Sequence, residues 1–475
     1  MPRTLVFLFL FAFSLQVQRS QESNVLYAAK ISSIDGLEAQ KIAQQHGFQV
    51  IRKLRSFDDI YLLRQLVRRK RDLAQIVDGI LKNQNFEWSE PLLPQQRFKR
   101  ESFPVKIGKN PVHVGIAVNS SGVTTVVVDD GVDHWHTDLQ DAFSPEISFD
   151  FTNFQADPMP QRIEGNEHGT QCSGLIAMAG ESCGMGVSRG ARLGGIKVLD
   201  GSSLNDAVEG DALAFQQDMI DIYSVSWGPK DDGKTVAKPG RLASQALADG
   251  VRKGRNGLGN IFLWASGNGG HFGDNCALDG YASNENTITV GVVNSDGNPA
   301  IYAEGCSAVL ASVSGGDSLI RTTGFDSKCS VLSGSSAAAA IASGIVGLAI
   351  QANPNLSQRD IQHLIIRTAS KSSLNVNWNK NAAGFQYNPS VGFGLLDAEA
   401  LAWRARTWKT VDEEIVCSAE PISPGSNILF PIGNSCDVSF IERVAVRLNI
   451  DARRRGDVQI FLTSPKGMGG KETSG

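Results

Sequence analysis

A serine stands where a loop rich in Ser and Gly runs into a long apolar segment. Residues 332–353 read LSGSSAAAAIASGIVGLAIQAN, and Ser336 marks the junction. Because small and apolar residues cover every face of the second half, the segment predicts a buried helix. The N–H groups at its start and the positive end of its dipole could hold an oxyanion while the serine attacks a carbonyl. Taken alone, the pattern favours a simpler interpretation, in which Ser335 or Ser336 only caps a core helix.

Three further segments supply an acid, a base and an amide. Asp129 lies in VVVDDG, His168 in NEHGTQCSG and Asn268 in WASGNGG. Each has a local explanation, because His before Gly-Thr can begin a helix and Asn-Gly is common in turns. Together with Ser336 they offer a nucleophile, a proton acceptor, a carboxylate to orient that acceptor and a donor for an oxyanion.

The elements that must position these residues predict an α/β fold with a mostly parallel sheet. In such sheets the chemistry lies at the carboxyl ends of strands, and Asp129 and Asn268 both lie just past a predicted strand end. The predicted strands are 123–128, 192–198, 219–226, 261–265 and 287–293, and the predicted helices begin near His168, Asp206, Arg241 and Ser336, with another at 357–369.

The chain order Asp129, His168, Asn268, Ser336 resembles that of the subtilisin-like serine proteases. The stretches YSVSWGPKDDGKTV, WASGNGG, GGIKVLDG and VGFGLLDAEALA narrow the resemblance to the kexin/furin branch, the proprotein convertases. It covers nearly the whole chain. It implies a subtilisin-like catalytic domain with a mostly parallel sheet, preceded by a small α+β pro-domain and followed by an incomplete, β-rich P domain.

The resemblance gives each catalytic candidate a role. Ser336 would be the nucleophile, and His168 would take its proton and later donate it to the leaving amine. Asp129 would orient and stabilise the imidazolium. Asn268 would donate its side-chain amide to the oxyanion, beside the Ser336 backbone N–H.

Carboxylates at the family's substrate-binding positions predict a preference for basic residues. The resemblance places Asp231 and Asp279 around the residue before the scissile bond. It places Asp130 at the next residue back and Glu209 at the basic residue two further upstream. The chain's own RFKR, which ends at Arg100, would suit such a cleft. The alternative for each carboxylate is a solvated surface position.

Several positions depart from the family pattern. After GKTV, Ala237 and Lys238 replace an acidic residue and a glycine, and Gly165 replaces an acidic residue three before the catalytic histidine. These changes favour looser selectivity for upstream basic residues and leave the residue at the cut unaffected. Ser335 and Ala340 replace a threonine and a proline near the nucleophile, and neither change removes a reacting group.

The resemblance also implies Ca²⁺, an ion that oxygen-only ligands suit. The matching residues are Asp231, Asp274 and Glu304 beneath the specificity pocket, Asp138 at a second site, and Asp150 and Asp157 at a third. The second site lacks support from the loop 177–183, which is shorter than the family's. The third is incomplete, because Met159 falls where an Asp is expected.

The chain divides into four predicted parts. The apolar run Leu5–Leu15 predicts a secretory signal peptide and is too short for a comfortable membrane span. Basic runs at 68–71 and 97–100 suggest cleavage sites and a removable pro-segment, cut between Arg100 and Glu101. The predicted boundaries are 1–20 for the signal peptide, 21–100 for the pro-domain, 101–408 for the peptidase domain and 409–475 for a partial P domain.

The last part reads as β-structure. Short alternating segments at 428–432, 438–450 and 458–462 predict strands. About 65 residues are few for a complete sandwich, so we expect a truncated domain. The tripeptide Arg455-Gly456-Asp457 invites an integrin-binding interpretation, but it lies between predicted strands and is a regular part of the family's β-domain.

Composition fits a secreted enzyme. The 475 residues are 41% hydrophobic and 20% charged, which supports a sizeable core, and the net charge of −4 argues against a nucleic-acid partner. The apolar run after Ser336 is expected to be core, so no membrane span is predicted. The Asn119 and Asn355 sequons suit glycosylation in the secretory pathway.

The seven cysteines predict three disulfides and one thiol in an oxidising compartment. Their pairing cannot be deduced from the spacing. The family pattern would pair Cys183 with Cys329, Cys276 with Cys306 and Cys417 with Cys436, and would leave Cys172 as an inward-facing thiol on the helix of the catalytic histidine.

These observations predict a calcium-dependent serine endopeptidase of the secretory pathway. It would cleave precursor proteins after paired or multiple basic residues, as a monomer, and would be made as a self-cleaving zymogen inhibited by its own pro-domain. Three alternatives stay open: a protease of looser, trypsin-like or subtilisin-like specificity, a weak or inactive homologue acting as a binding or chaperone-like protein, and a form inactivated by an incomplete β-domain. The four intact catalytic candidates argue against the second.

Overall fold

The computed structural model describes residues 25–32, 36–65, 86–100, 122–201, 204–417, 441–446, 453–458, 460–463 and 469–472. They form two compact units. Of these described residues, those up to Lys53 and those within Asp59–Leu92 form one unit, and those of Leu54–Asp58 and from Leu93 onward form the other. The predicted signal peptide, the basic run 68–71, Glu101, Asn119 and Cys436 lie outside the described residues.

The first unit is a four-stranded antiparallel sheet with one helix, which confirms the predicted small α+β region. The sheet has the order β2-β3-β1-β4. Buried residues of α1, among them Ala39 and Ile42, pack against aromatic residues of the strands such as Phe48. The elements are β1 Leu26–Ile31, α1 Gly36–Gln45, β2 Phe48–Lys53, β3 Ile60–Gln65 and β4 Phe86–Pro91.

The second unit is built on a seven-stranded sheet of order β13-β12-β11-β9-β6-β8-β7, in which every pairing is parallel. All residues of β6 and β12 are buried, because helices cover both faces. The strands of this unit up to β13 are β5 Phe98–Lys99, β6 Thr124–Asp129, β7 Phe149–Asp150, β8 Arg192–Lys197, β9 Ile222–Val225, β10 Trp227–Gly228, β11 Ile261–Ala265, β12 Thr287–Val293 and β13 Val309–Ser314.

Helices form a layer on each side of this sheet, so the predicted subtilisin-like α/β fold is confirmed. Residues of α2, α5, α6 and α7 share a core with one face, and residues of α3 and α4 share a core with the other. The helices are α2 His168–Ala177, α3 Asp206–Leu213, α4 Arg241–Lys253, α5 Gly334–Ala352, α6 Gln358–Thr368 and α7 Ala398–Ala405.

Helix α5 is the centre of the larger core. Among the described residues it is the helix long and apolar enough to cross a membrane, with a mean hydropathy of 1.5 over its apolar window. That window is 89% buried inside the fold, so the prediction of a core helix holds. Its neighbours include α2, α7 and the strands β9, β11 and β12.

Hairpins complete the second unit. The hairpin β14–β15 leads into α5 and is tied to α2, because Thr322 Oγ1 donates to Gln171 O at 2.6 Å and Thr323 Oγ1 donates to Thr170 O at 2.7 Å. The predicted strand 438–450 is wrong over 441–446, which are irregular. The hairpin strands are β14 Ile320–Thr323, β15 Cys329–Leu332, β16 Asn379–Lys380, β17 Gln386–Tyr387, β18 Ile460–Thr463 and β19 Gly469–Glu472.

Candidate active site

The predicted acid and base meet at the carboxyl end of β6. Asp129 is the last residue of this strand, where the strand order reverses between β8 and β9, the usual place for a site in such sheets. His168 begins α2, and its Nδ1 lies 2.9 Å from Asp129 Oδ2. Since both side chains are buried and Nδ1 faces the carboxylate, Nε2 is the ring nitrogen that can accept a proton.

The start of α2 approaches β6 so closely that a glycine must follow His168. A Cβ on Gly169 would lie 2.9 Å from Asp130 Oδ1 and 3.1 Å from Asp129 Cβ. The Asp130 carboxylate accepts the N–H of His168 at 3.1 Å and that of Gly169 at 2.7 Å. Asp130 therefore satisfies two donors at the helix N-terminus and helps to place His168.

Ser336 and Asn268 converge on one carbonyl group. Ser336 lies in the first turn of α5, which Gly334 enters at φ +87°, a conformation that favours glycine. Its Oγ donates to the carbonyl oxygen of Arg100 at 2.6 Å. Asn268 Nδ2 donates to the same oxygen at 2.5 Å. The carbonyl oxygen of Arg100, the last residue of RFKR, thus lies between the Ser336 hydroxyl and the Asn268 amide.

The chain's own segment before Arg100 lies in the cleft as an added strand. β5 pairs antiparallel with β10, so that Lys99 faces Trp227 and Phe98 faces Gly228. The Arg100 N–H continues the pairing by donating to Ser226 O at 3.0 Å. The structure therefore places the peptide in the extended form that a protease cleft binds through backbone hydrogen bonds.

The side chain of Arg100 is almost fully buried, with 1% exposure. Its guanidinium pairs with Asp279 and donates to the carbonyl oxygen of Ala265. Burial alone would lower the pKa of this guanidinium, but the charges of Asp279, Asp231 and Glu304 outweigh burial and raise it. Of the two predicted pocket carboxylates, Asp279 makes the direct contact and Asp231 acts at longer range.

Lys99 contacts Asp130. Its Nζ lies 2.6 Å from Asp130 Oδ2, donates to Asn166 Oδ1 at 3.1 Å and also donates to the carbonyl oxygen of Gly165. Burial, followed by the neighbouring Asp129 charge, raises the pKa of Asp130 to about 6, although Lys99 lowers it. The missing acid at position 165 is thus partly offset by backbone and amide oxygens.

Arg97 meets the fourth predicted carboxylate. Its Nε lies 2.7 Å from Glu209 Oε1, and the side chains are 1% and 0% exposed. Tyr281 completes the subsite, because its hydroxyl donates to Glu209 Oε2 at 2.6 Å, accepts from Arg97 at 2.5 Å, and its ring lies 4.9 Å from the guanidinium. Ala237 forms a backbone bridge to Asp279, the carboxylate that pairs with Arg100, and contributes no charge.

Tyr281 and Asn166 are site residues that the sequence analysis did not identify. Asn166 precedes His168 by two positions, so the motif around His168 could have indicated it. No motif could have indicated Tyr281, since it lies 72 residues from Glu209 and the fold alone brings the two together.

Asp231, Asp274 and Glu304 form a carboxylate cluster beneath the specificity pocket, with ligand oxygens within 4.8 Å of one another. Burial, followed by repulsion from the other two carboxylates, raises the pKa of Glu304 well above its usual range. Asp231 Oδ1 and Glu304 Oε2 are buried and have no hydrogen-bond partner in the part of the chain that the structure describes. These two orphaned acidic oxygens fit a divalent cation with oxygen ligands. Both oxygens of Asp274 instead accept hydrogen bonds from the guanidinium of Arg455.

Asp138 does not fit a calcium site in this structure. Its two oxygens accept hydrogen bonds from the N–H groups of Glu181, Ser182 and Cys183 at 2.5 to 3.2 Å, and from the Ser182 hydroxyl at 2.9 Å. Burial would raise the pKa of Asp138, but these donors outweigh it and hold the pKa below the usual range. The shorter loop thus satisfies this carboxylate with its own backbone.

At the third predicted calcium site, the side chain of a lysine contacts the groups that would bind the ion. Lys197 is 2% exposed, lies 3.1 Å from Asp150 Oδ2 and donates to Met159 O at 3.2 Å. Asp150 also accepts bonds from Thr152, Asn153 and Gln155, whereas Asp157 is exposed and pairs with His134 at 3.0 Å. These residues do not fit a shared metal site.

Two of the predicted disulfides are formed. Cys183 is bridged to Cys329, and Cys276 to Cys306. The third prediction involves Cys436, outside the described residues. Cys172 keeps its thiol and is buried on α2.

Comparisons with known proteins agree with the fold and the site described above. The model of the Subtilase family, Peptidase_S8, matches residues 120–394, and that of the proprotein convertase P-domain matches residues 441–469. The chain belongs to the subtilase family. It is a subtilisin-like serine endoprotease of the proprotein convertase type.

Curated relatives of this subtilase include three named proteases. Endoprotease aex-5 of Caenorhabditis elegans is 51% identical over 97% of this chain and 87% of its own length. Furin of Rattus norvegicus is 36% identical over 90% of this chain and 59% of its own length. Furin-like protease 1, isoform 1-CRR, of Drosophila melanogaster is 40% identical over 74% of this chain but only 33% of its own length.

Solved structures repeat the subtilase fold. Fervidolysin from Fervidobacterium pennivorans, a keratinolytic enzyme related to subtilisin, covers 82% of this chain and 62% of its own at a TM-score of 0.60 and 17% identity. The serine protease of Aeromonas sobria covers 65% of this chain and 64% of its own at a TM-score of 0.57 and 24% identity. At these identities the likeness bears on the fold alone.

Proposed function

We propose that this subtilase is a calcium-dependent endopeptidase that cleaves precursor proteins of the secretory pathway after multibasic sites, and that it matures by cutting its own Arg100–Glu101 bond. One observation carries the proposal. Each basic side chain of the segment RFKR contacts a buried carboxylate, while Phe98 between them is 38% exposed. The pairs are Arg97 with Glu209, Lys99 with Asp130, and Arg100 with Asp279.

The geometry supports a step-by-step acyl transfer. Ser336 Oγ attacks the carbonyl carbon of Arg100 as His168 Nε2 takes its proton, and Asp129 stabilises the imidazolium. Asn268 Nδ2, which already reaches the carbonyl oxygen, holds the oxyanion. His168 then donates the proton to the leaving nitrogen of Glu101. A water molecule, deprotonated by the same histidine, finally releases the acyl group from the serine.

The preference for basic substrate residues follows from the buried carboxylates, because a neutral residue would leave a carboxylate without a partner. A neutral residue at the scissile position would leave the Asp279 carboxylate buried and unpaired. Breaking a buried pair by removing one partner costs about 3–5 kcal/mol, which corresponds to more than a hundredfold discrimination. The pair at Arg97 is equally buried, so we expect an Arg-X-Lys/Arg-Arg pattern despite the alanine at position 237.

Calcium dependence is supported by the cluster beneath the pocket. Asp231 and Glu304 would hold the ion beside Asp274, and when bound it would supply two positive charges that offset those of Asp231 and Glu304. Asp231 also accepts the backbone N–H of Asn268 at 2.9 Å. A carboxylate kept ionised in this position would therefore help to fix the oxyanion donor.

Residence in the secretory pathway is supported by the disulfides and by the apolar N-terminal run. Asn355 is exposed, as a glycosylated asparagine must be. The precursor proteins that serve as substrates, and the pro-domain as an inhibitor, are inferred from the position of RFKR in the cleft and from the convertase relatives.

The test expresses the chain with calcium beside its Ser336→Ala variant and determines the N-terminus of each secreted product. We expect the parent chain to begin at Glu101 and the variant to keep its pro-segment. A parent that stays uncut would contradict self-cleavage, and a variant cut at Glu101 would show that another protease does the processing. Peptides ending in Arg-X-Lys-Arg then measure specificity directly.

A further inference from the structure

Gln95 extends the peptide bound in the cleft beyond the segment RFKR. Its N–H donates to the carbonyl oxygen of Leu204 at 2.6 Å, and its own carbonyl oxygen accepts the Leu204 N–H at 2.9 Å. The two residues thus form an antiparallel bridge. The cleft therefore holds the peptide backbone at two places, at Gln95 and again at β5.

The side chain of Gln95 reaches the guanidinium of Arg97. In an extended chain, residues two apart lie on the same face, so these two long side chains run side by side. Arg97 Nη2 donates to Gln95 Oε1. Because a guanidinium can only donate, the amide must turn its oxygen toward it. Gln96 belongs to the opposite face of the extended chain and is exposed.

The amide oxygen of Gln95 completes the partners of a buried cation. The Arg97 side chain is 1% exposed, and its Nη2 carries two N–H groups. Two acceptors face this nitrogen, the Tyr281 hydroxyl and Gln95 Oε1. Nη1 donates to the carbonyl oxygen of Gln96 at 3.2 Å, and Nε lies beside Glu209. A substrate without an acceptor at the position of Gln95 would deprive a buried charge of one partner.

Helix α3 positions both contacts on the enzyme side. Leu204 directly precedes Asn205, the N-cap of α3, whose side chain accepts the N–H groups of two residues in the first turn at 3.1 and 3.2 Å. Glu209 lies on the same helix and is 1% exposed. The capped helix therefore holds the backbone partner and the carboxylate in a fixed relation to each other.

We propose that the substrate side chain at the position of Gln95 is a specificity determinant, and that the cleft selects a hydrogen-bond acceptor there, the side chain of Gln or Glu. The inference rests on the proposed function and narrows its substrates. A lysine at this position would instead bring a second cation beside Arg97, whose charge already pairs with Glu209. The peptide thus supplies part of the binding site for its own arginine.

The test is a cycle of peptide substrates for the mature enzyme, so that no enzyme variant has to fold. The parent peptide has the sequence of residues 93–102, LPQQRFKRES, with a fluorescent donor and a quencher at its ends. One variant peptide carries Gln95→Met, which keeps the side-chain length and loses the amide oxygen. A second carries Arg97→Ala, and a third carries both changes. The matched control is Gln96→Met, the same change at the neighbouring, exposed glutamine.

We expect Gln95→Met to lower kcat/KM about three- to tenfold, mainly through KM, because the contact exists before the reaction begins. In the peptides with Arg97→Ala, the same change should matter less than about twofold. Gln95→Glu should keep or raise kcat/KM, Gln95→Lys should lower it further than Gln95→Met, and Gln96→Met should stay within about twofold of the parent peptide.

Equal kcat/KM values for Gln, Met and Lys at the position of Gln95 would overturn the inference, and so would a preference for lysine there. A loss in Gln95→Met that persists undiminished beside Arg97→Ala would also overturn it, because the side chain would then act independently of the arginine. An enzyme that does not mature, or that does not cleave the parent peptide, would instead refute the proposed function, and the inference with it.

Discussion

The side chain of Asn268 is held in one orientation by the backbone of Ser335. The Ser335 N–H donates to Asn268 Oδ1 at 3.0 Å, so Nδ2 is turned toward the carbonyl oxygen of Arg100, 2.5 Å away. The loop that enters α5 therefore does two things. It positions Ser336, the proposed nucleophile, and through Ser335 it orients the amide of Asn268, the proposed oxyanion donor.

Replacing this donor should affect the transition state more than binding. We expect Asn268→Ala to lower kcat for a basic-site peptide about 10²–10³-fold with little change in KM, since the hydrogen bond strengthens as the oxyanion forms. Steady-state kinetics measure both constants. Asn268→Asp serves as a second variant, because an acceptor in place of the donor should be at least as damaging. A change confined to KM would count against the assignment.

Gly228 leaves room for the arginine at the scissile position. The nearest three atoms that a Cβ there would meet all belong to the Arg100 side chain, the second at 2.9 Å. We expect Gly228→Ala to block self-cleavage while the thermal unfolding temperature stays within a few degrees of the parent.

The matched control is Gly36→Ala, at which an added Cβ meets nothing within 4 Å. Immunoblots of secreted protein follow the loss of the pro-segment in each variant. Normal processing of Gly228→Ala would mean that arginine does not enter the pocket as the structure places it.

Glu209 and Tyr281 should account for a preference for arginine at the position of Arg97. We expect Glu209→Gln to reduce the ratio of kcat/KM for Arg over Ala at this position about tenfold or more, because a charge-assisted contact is lost. Tyr281→Phe removes a hydroxyl and keeps the ring, so its effect should be about two- to tenfold.

The double variant measures how the two residues interact. Since the hydroxyl bridges Glu209 and Arg97, the combined loss should be smaller than the product of the single losses. The preference for arginine at the scissile residue is the internal control and should not change. A strictly multiplicative loss would show that the two groups act independently.

Asp130 should make the preference for lysine before the scissile arginine depend on pH. Burial, then the Asp129 charge, raises the pKa of Asp130 to about 6 with Lys99 in place, and the pKa rises further when a neutral residue replaces the lysine. The carboxyl group loses its charge as the pH falls through this range, so the preference should be present near pH 8 and fade toward pH 5.

The measurement is the ratio of kcat/KM for two peptides that differ as Lys against Gln at this position. A ratio cancels the effects of pH that the two peptides share. Asp130→Asn should give a low ratio at every pH. A constant, high ratio for the parent enzyme between pH 5 and 8 would contradict the raised pKa.

The sheet was largely predictable because its strands are continuous apolar runs. The observed β11 and β12 match their predicted bounds, and β6 differs by one residue. The hairpin β14–β15 was missed, because IRTT and CSVL mix polar and apolar residues without a clear period. That hairpin is held by hydroxyl groups bonded to α2, and such long-range contacts leave no local pattern.

At the site, motifs pointed to side chains that the fold brings together, and they named more metal ligands than the structure supports. Asp138 and Asp150 stand where the family pattern has calcium ligands, yet backbone N–H groups and Lys197 engage their oxygens. Sequence position does not reveal which donors a folded loop brings to a carboxylate. Arg455 illustrates the converse, because its motif suggested a surface ligand and the fold buries it in the cluster beneath the pocket.

The two-residue ladder between β5 and β10 has a consequence for the choice of substrates. The cleft binds the peptide backbone in extended form, through the pairing of β5 with β10. A basic motif inside a helix or a paired strand of a folded precursor cannot form this pairing, because its backbone groups are already hydrogen-bonded. Two precursors with identical motifs should then differ in processing according to how readily each unravels at that point. The local stability of the substrate then becomes a second determinant of cleavage, in addition to its basic motif.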